Sequence, residues 1–298
     1  MSSVVVTGLA GGLGNQLYQY AAGRVAALRK GARLRLDCSF YRFREDRAYA
    51  LSHFQIEHED FLSRAEARLL QYWFGTRHRR LKSLARAAFG DRLFSRVVDP
   101  MSRVTPELLH ASGNLYLSGY WQSPAYFDGE EELIRREFRF RMPPEGRIAS
   151  LIDRMASCES VAVHVRRGDY VSDAGANKVH GICKADYYDR AAEIVCGRVA
   201  SPRFFVFSDD PAAARRELRL PGPTEFVEEN VGRRDWDDLR LMSSCRHHII
   251  ANSSFSWWGA WLAKHDGQAV VAPKQWFSQA QMSGHRLEDR FPAEWIAT

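Results

Sequence analysis

The order of strands and helices that we predict along this chain indicates an α/β protein with parallel sheets. Short apolar runs alternate with segments of helical periodicity, and such alternation places helices between parallel strands. At 298 residues the chain is long enough for two compact domains, each with its own core. Two prolines and a glycine interrupt all regularity at residues 141–146, so we predict domains over residues 1–143 and 144–298.

The first half begins with a strand, a glycine-rich turn and a helix. This arrangement aims backbone N–H groups at an anion or a sugar. Asn15 lies at the mouth of the helix, where it either caps the helix or reaches into a cleft. The predicted strands cover residues 3–7, 33–37 and 115–123, and the predicted helices cover residues 16–30, 63–70, 81–89 and 127–138.

The second half alternates more regularly between the two kinds of element. The predicted strands are residues 161–165, 204–207, 225–227, 248–251 and 269–273. The predicted helices are residues 184–196, 211–218, 236–243 and 255–264. This alternation predicts a parallel sheet with helices on both of its faces.

The stretch His164 to Tyr170 follows the first of these strands and has the sequence His-Val-Arg-Arg-Gly-Asp-Tyr. Strand alternation puts His164 and Arg166 on one face and Val165 on the other. Two adjacent guanidiniums at a strand end repel each other unless an anion neutralises them, and arginine matches phosphate oxygens well. We therefore interpret Arg166 and Arg167 as ligands of a diphosphate. The alternative is a surface strand end with two solvated arginines.

Polar residues follow two other strands at the same edge of the sheet. Asp210 precedes Pro211, and this pair predicts the N-cap and first residue of a helix. Asp209 is then either an acceptor of hydrogen bonds from a guanine or a ribose, or a second turn-forming acid. Ser253 and Ser254 open a predicted helix, whose hydroxyls and unpaired amides suit an anion. These residues converge on the charge that we expect the two arginines to bind.

The composition favours small anionic ligands over nucleic acid. The net charge is +6, and no dense basic stripe of the kind that binds nucleic acid is present. The five cysteines are odd in number and form no C-x-x-C pair, which argues against a disulfide framework or a zinc site and favours a reducing compartment. Neither a signal peptide nor a membrane span is recognisable.

Two charged segments have simpler explanations than ligand binding. Asp235, Trp236 and Asp237 form a D-x-D pattern, but acids at the start of a helix explain it, so we predict no metal site. The basic patch between Arg77 and Arg86 is either a solvated face or a weak peripheral dock on an anionic membrane.

Three motifs resemble those of the bacterial α-1,2-fucosyltransferases, glycosyltransferase family 11. They are Gly11 to Tyr20, His164 to Tyr170 and Ile249 to Trp261, and the segments Gly119 to Ser123 and Phe207 to Asp210 are similar to family segments too. The resemblance implies a GT-B architecture, with two Rossmann-like domains facing across a cleft. It also implies an inverting transfer of fucose from GDP-β-L-fucose to a galactoside without a metal. The first domain would hold the acceptor and the second the donor.

The resemblance also implies roles for individual residues. Arg166 and Arg167 would neutralise the departing β-phosphate, a charge that a preorganised site can stabilise. The remaining donor ligands would be His164 and Asp209 at the nucleoside, Ser253, Ser254 and Phe255 at the phosphates, and Gly14 in the glycine loop. Asn15 would lie near the fucose and the diphosphate. Asp169 is the candidate general base, or else it orients Arg166 or caps its loop.

Two other functions remain open at this point. One is a transferase of the same architecture that uses another nucleotide sugar, and the other is a noncatalytic module that binds a nucleotide or a carbohydrate. Because relatives in animals carry a membrane anchor ahead of this domain and this chain shows none, we expect a bacterial cytoplasmic enzyme. A peripheral contact with the inner face of the membrane is compatible with that expectation.

Overall fold

The chain forms two compact units, Met1–Arg139 and Phe140–Thr298, and each contains one parallel sheet. The predicted boundary, after residue 143, lies slightly further along the chain. The computed structural model describes residues 3–44, 46–75, 93–100, 104–167, 183–227, 234–277 and 289–298.

Four parallel strands make up the sheet of the first unit, in the order β2-β1-β4-β3. They are β1 (Val4–Gly8), β2 (Arg33–Asp37), β3 (Phe94–Val98) and β4 (Asn114–Ser118). Among its described residues, this unit has the helices α1 (Leu13–Lys30), α2 (Arg64–Gly75) and α3 (Glu131–Glu137). Short 3₁₀ turns occupy Ser39–Phe43, Leu51–His53, Pro106–His110 and Pro124–Tyr126.

Helix α1 packs closely on β1. The approach is tightest at Gly23, where an added Cβ would lie 2.9 Å from the Thr7 Cβ. The helix ends at Gly31, whose φ of 56° is the left-handed conformation that glycine adopts readily. The predicted order of strand, glycine turn and helix is therefore confirmed, with α1 starting three residues earlier, at Leu13 instead of residue 16.

Six parallel strands form the sheet of the second unit, in the order β10-β9-β8-β5-β6-β7. The chain order of this unit is α4 (Gly146–Ala156), β5 (Ser160–Val165), α5 (Ala185–Cys196), β6 (Arg203–Ser208), α6 (Pro211–Glu217), β7 (Thr224–Phe226), α7 (Asp235–Ser243), β8 (His247–Ile249), α8 (Ser254–Leu262), β9 (Val270–Ala272) and β10 (Ile296–Ala297). Strand β5 lies in the middle, buried along its whole length.

The two faces of β5 pack as the alternation predicts. Val161, Val163 and Val165 share one core with residues of helix α5. Ala162 belongs to the opposite core, where it packs with residues of α4 and α7. Burial of both faces explains why this strand reads as an almost continuous apolar run.

Several element boundaries differ from the predictions for physical reasons. The predicted strand over residues 115–123 stops at Ser118, because Gly119 and Trp121 adopt positive φ values of 143° and 55°. The predicted helix over residues 127–138 starts only at Glu131, after Gly129, which also has a positive φ. Strand β3, helix α4 and the two-residue strand β10 were not predicted, so β9 is not the last strand.

Gly119 lies where the backbone leaves β4, and its environment leaves no room for a side chain. An added Cβ would lie 2.2 Å from the Asp99 Cβ. Asp99 Oδ2 also accepts the N–H groups of Tyr120 and Trp121, at 3.2 and 2.7 Å. Displacing Asp99 would therefore break the two hydrogen bonds that hold the segment after β4.

We expect Gly119→Ala to lower the thermal denaturation midpoint at least about 4 °C more than Gly129→Ala does. Both glycines have a positive φ, but no atom lies within 4 Å of a Cβ added at Gly129, so that variant reports backbone strain alone. Thermal unfolding of the two purified variants measures the difference. Equal midpoints would show that Asp99 can move without cost.

Candidate active site

The carboxyl ends of β5 and β6 bring four of the predicted donor-binding residues together. The two strands are neighbours, with His164 opposite Phe207 and Val165 opposite Ser208. The residues that follow, Arg166 and Arg167 after β5 and Asp209 after β6, therefore meet at one edge of the sheet.

Each of the two arginines has a carboxylate partner of its own. Arg166 Nη1 lies 3.1 Å from Asp209 Oδ2, and the Arg167 guanidinium pairs with Glu217 at the end of α6. The backbone N–H of Arg167 donates to Asp209 Oδ1 at 2.7 Å. The expectation that the guanidiniums repel each other until an outside anion neutralises them is therefore wrong, because the protein supplies two carboxylates.

The two adjacent aspartates after β6 have separate functions, as predicted. Asp210 caps α6, since its Oδ1 accepts the N–H of Ala213 at 2.9 Å and Pro211 occupies the first helical position. Asp209 takes no part in the cap and faces the arginines. Each of its carboxylate oxygens can accept a further hydrogen bond.

His164 is a buried, uncharged imidazole beside the arginines. Burial, and secondly the positive charge of Arg166, lowers the pKa of His164 to about 3, so the ring is neutral at neutral pH. Its ring lies 5.9 Å from the ring of Phe255, centroid to centroid. The buried Nδ1 has no hydrogen-bond partner among the residues that the structure describes. A polar atom left in this state is typical of a site that a ligand completes.

The start of α8 brings the predicted phosphate-binding residues beside His164. Ser253 is the N-cap, and its hydroxyl accepts the N–H of Phe255 at 3.3 Å. Ser254 is the first helical residue, and Phe255, the next, contacts His164. The unpaired N–H groups of a first helical turn favour a negative charge. The three residues thus lie at the start of a helix, as predicted, and the Ser253 hydroxyl is used as its cap.

The tryptophans of α8 belong to the core, as expected. Trp257 and Trp258 are fully buried, and Trp261 packs against both of them. Trp257 Nε1 donates to the backbone oxygen of Arg290 at 2.9 Å. These buried aromatic side chains fix α8 in the core, and the start of the helix lies at the candidate site.

Asn15 lies at the corresponding edge of the first sheet. Its Oδ1 accepts from Gln122 Nε2 at 2.8 Å, which links the start of α1 to the segment after β4. Gly12 is the N-cap of α1, so Asn15 does not cap this helix. Gly14 is buried in the first turn, and Gly11 adopts a φ of 81° beside the Asn15 amide. The link between Asn15 and Gln122 was not predicted.

Some sequence-based expectations lie outside the described residues. These are Asp169, the candidate base, the predicted helix over residues 81–89 and the basic patch between Arg77 and Arg86, and all three stay predictions. Asp235 and Asp237 are described and lie in the first turn of α7. All five cysteines are free thiols.

The described part of the chain shows neither a metal-binding cluster nor a membrane-spanning helix. No group of three or more His, Cys, Asp or Glu side chains there is arranged to hold a metal ion. Within the same ranges, no helix has the length and apolar character needed to cross a membrane.

Two solved structures illustrate the similarity of this fold to known proteins. A structure of the fucosyltransferase NodZ from Bradyrhizobium is 16% identical, with a TM-score of 0.51 over 87% of this chain and 91% of that one. A mutant of FUT1 from Arabidopsis thaliana in complex with GDP has the same TM-score at 12% identity, over 98% of this chain and 76% of its own. The fold is thus the GT-B type of glycosyltransferases, and the predicted fold class is confirmed.

Sequence relatives define the family. The sequence model of Glycosyl transferase family 11 matches residues 100–298. An Escherichia coli protein named alpha-1,2-colitosyltransferase is 31% identical over 302 residues, which cover 99% of this chain and 98% of that protein. The O-antigen biosynthesis glycosyltransferase WbnK of Escherichia coli is 28% identical over 91% of this chain and 94% of its own. The chain belongs to glycosyltransferase family 11, which confirms the resemblance.

A second buried histidine makes stability depend on pH. Nε2 of His248 lies 2.8 Å from the Met242 backbone oxygen, and its Nδ1 lies 3.1 Å from Gln268 Nε2. Burial lowers the pKa of His248 to about 3. Because the unfolded chain takes up this proton near pH 6.5, the stability from a neutral His248 is complete above that pH and falls towards pH 3.

We expect the wild-type protein to lose about 2 kcal/mol at pH 5 through His248 alone, and a comparable amount through His164. The denaturation midpoint should therefore fall less steeply between pH 7.5 and pH 5 in His248→Gln than in the wild type. His110→Gln, a change at an exposed position, should follow the wild-type curve. Parallel curves for all three proteins would contradict the buried neutral state of His248.

Proposed function

We propose that this glycosyltransferase moves L-fucose from GDP-β-L-fucose to the 2-hydroxyl group of a terminal galactoside, with inversion at the anomeric carbon. The observation that carries the proposal is the arginine pair, held at the sheet edge beside a neutral His164 and the first turn of α8. A guanidinium, a buried imidazole and the positive end of a helix together suit a nucleoside diphosphate.

Names of relatives support the linkage and the acceptor. Galactoside alpha-(1,2)-fucosyltransferase 1 of Saimiri boliviensis boliviensis is 28% identical over 160 residues, which cover 51% of this chain and 44% of that protein. The colitosyltransferase of Escherichia coli also makes an α-1,2 linkage by its name. A galactoside acceptor accords with these relatives, and we place it at the edge of the first sheet near Asn15.

The chemistry follows from where charge develops. As the glycosidic bond breaks, the sugar becomes positive and the departing GDP gains negative charge. In our proposal Arg166 and Arg167 take up that charge, and they are held in place before the donor arrives. His164 and Asp209 contact the nucleoside, and the first turn of α8 faces the phosphates. We also assign Gly14 and Asn15, in the glycine loop, to the donor.

The donor sugar has a specific second candidate. The full-length likeness to the colitosyltransferase favours GDP-colitose as an alternative donor. Colitose resembles fucose but lacks one further hydroxyl group. Transfer rates from GDP-fucose and GDP-colitose to the same galactoside separate the two donors. A noncatalytic module would bind GDP and transfer neither sugar, and a uridine-sugar transferase would bind UDP in preference to GDP.

We expect Arg166→Ala and Arg167→Ala each to lower kcat by roughly 10² to 10³, because each variant removes a preorganised positive group that stabilises the leaving GDP. Initial rates with GDP-fucose, or with GDP-colitose if that is the better donor, measure the loss. The matched control is Arg190→Ala, which removes an exposed arginine that pairs with Asp186 on α5. Wild-type turnover in both variants would show that the arginine pair has no leaving-group role.

We also infer that transfer needs no divalent cation, because two guanidiniums already face the developing charge. Activity should then be unchanged after dialysis against EDTA, compared with enzyme dialysed against buffer alone. Loss of activity that Mn²⁺ restores would contradict this inference. It would also reopen the role of Asp235 and Asp237, which we assign to the start of α7.

A further inference from the structure

Arg167 is held at two points, and the second of them involves a residue outside the sequence motifs. Its backbone N–H donates to Asp209, and its guanidinium pairs with Glu217. Glu217 is the last residue of α6, a helix that starts directly after β6 and is capped by Asp210. The carboxylate that neutralises Arg167 is therefore carried by the same connection that carries Asp209.

The two guanidiniums pair with different carboxylates. By strand alternation Arg166 would follow the face of His164, and Arg167 the face of Val165. Arg166 pairs with Asp209, whereas the Arg167 guanidinium pairs with Glu217. Two adjacent positive groups separate if nothing holds them, so each needs its own carboxylate to stay at the sheet edge.

The Arg167 side chain keeps hydrogen-bonding capacity for a ligand. It is only 20% exposed, and its terminal Nη2 is the nitrogen that pairs with Glu217. Its Nε is buried and has no hydrogen-bond partner among the described residues. A guanidinium has five N–H donors, so one ion pair leaves most of them available.

We propose that Glu217 is a positioning residue for the transfer reaction, and that it acts by holding the Arg167 guanidinium in the orientation that meets the departing diphosphate. This inference rests on the function proposed above. It adds a residue that does not itself touch the donor. Its effect must therefore pass entirely through Arg167, and that requirement makes it testable.

The test is a double-mutant cycle on kcat and donor KM with the wild type, Glu217→Ala, Arg167→Ala and the double variant. We expect Glu217→Ala to lower kcat about tenfold while donor KM changes less than about threefold. In the Arg167→Ala background the same change should cause no further loss. Equal losses in both backgrounds, or no loss in the wild-type background, would overturn the proposal.

Two further variants exclude a general structural effect. Glu217→Gln keeps an oxygen in the same place and should lose only about threefold in kcat, again only when Arg167 is present. This variant replaces Glu217→Ala in the cycle if the alanine variant does not fold. Glu225→Ala removes another ion-paired carboxylate of the same unit, the partner of Arg154 and Arg203, and should leave kcat unchanged. A tenfold loss in Glu225→Ala would point to a nonspecific effect and would count against the proposal.

The failure of this inference can be told apart from the failure of the proposed function. If the wild type transfers neither fucose nor colitose, the proposed donor is wrong. The same four proteins are then compared by their GDP dissociation constants. Glu217→Ala should weaken GDP binding in the presence of Arg167 and not in its absence, and equal weakening in both backgrounds would overturn the positioning role.

Discussion

Charge balance at the carboxyl edge of the second sheet is the constraint on which the site depends. Asp209 accepts the Arg166 side chain on one oxygen and the Arg167 backbone N–H on the other, and so ties the end of β5 to the end of β6. Glu217 balances the second guanidinium. Positive groups that carboxylates hold in fixed positions are effective at stabilising the charge that develops on a leaving group, because they need little rearrangement.

The same balance explains the state of the neighbouring histidine. His164 lies in the core next to Arg166, and both burial and that positive charge keep the imidazole neutral. A protonated ring there would add a third positive charge beside the two guanidiniums. The neutral ring instead offers a hydrogen-bonding atom beside Phe255. The site can thus bind a polar ligand at this point without burying an additional charge.

Local patterns predicted the parts of the site that depend on neighbours in sequence. The alternation of β5 and the cap formed by Asp210 and Pro211 are of this kind, since each is set within a few residues. Glu217 was missed because its contact joins the end of a strand to the end of a helix much later in the chain, and no periodicity marks it. The hydrogen bond between Asn15 and Gln122 joins residues 107 positions apart and was missed for the same reason. The end of β4 depends on how closely Asp99 approaches Gly119, a packing contact that composition does not reveal.

If separate residues recognise the diphosphate and the sugar, two different donors can bind to the same kind of site. In our proposal the arginine pair acts on a diphosphate, which GDP-fucose and GDP-colitose have in common. A choice between these sugars must come from contacts with the one hydroxyl group that differs. A site built to hydrogen-bond that hydroxyl rejects the sugar lacking it strongly, because its polar groups are left unpaired, whereas an apolar site barely distinguishes the two. Relatives can therefore keep the charge-bearing edge of the second sheet unchanged and differ in donor through a few polar contacts elsewhere.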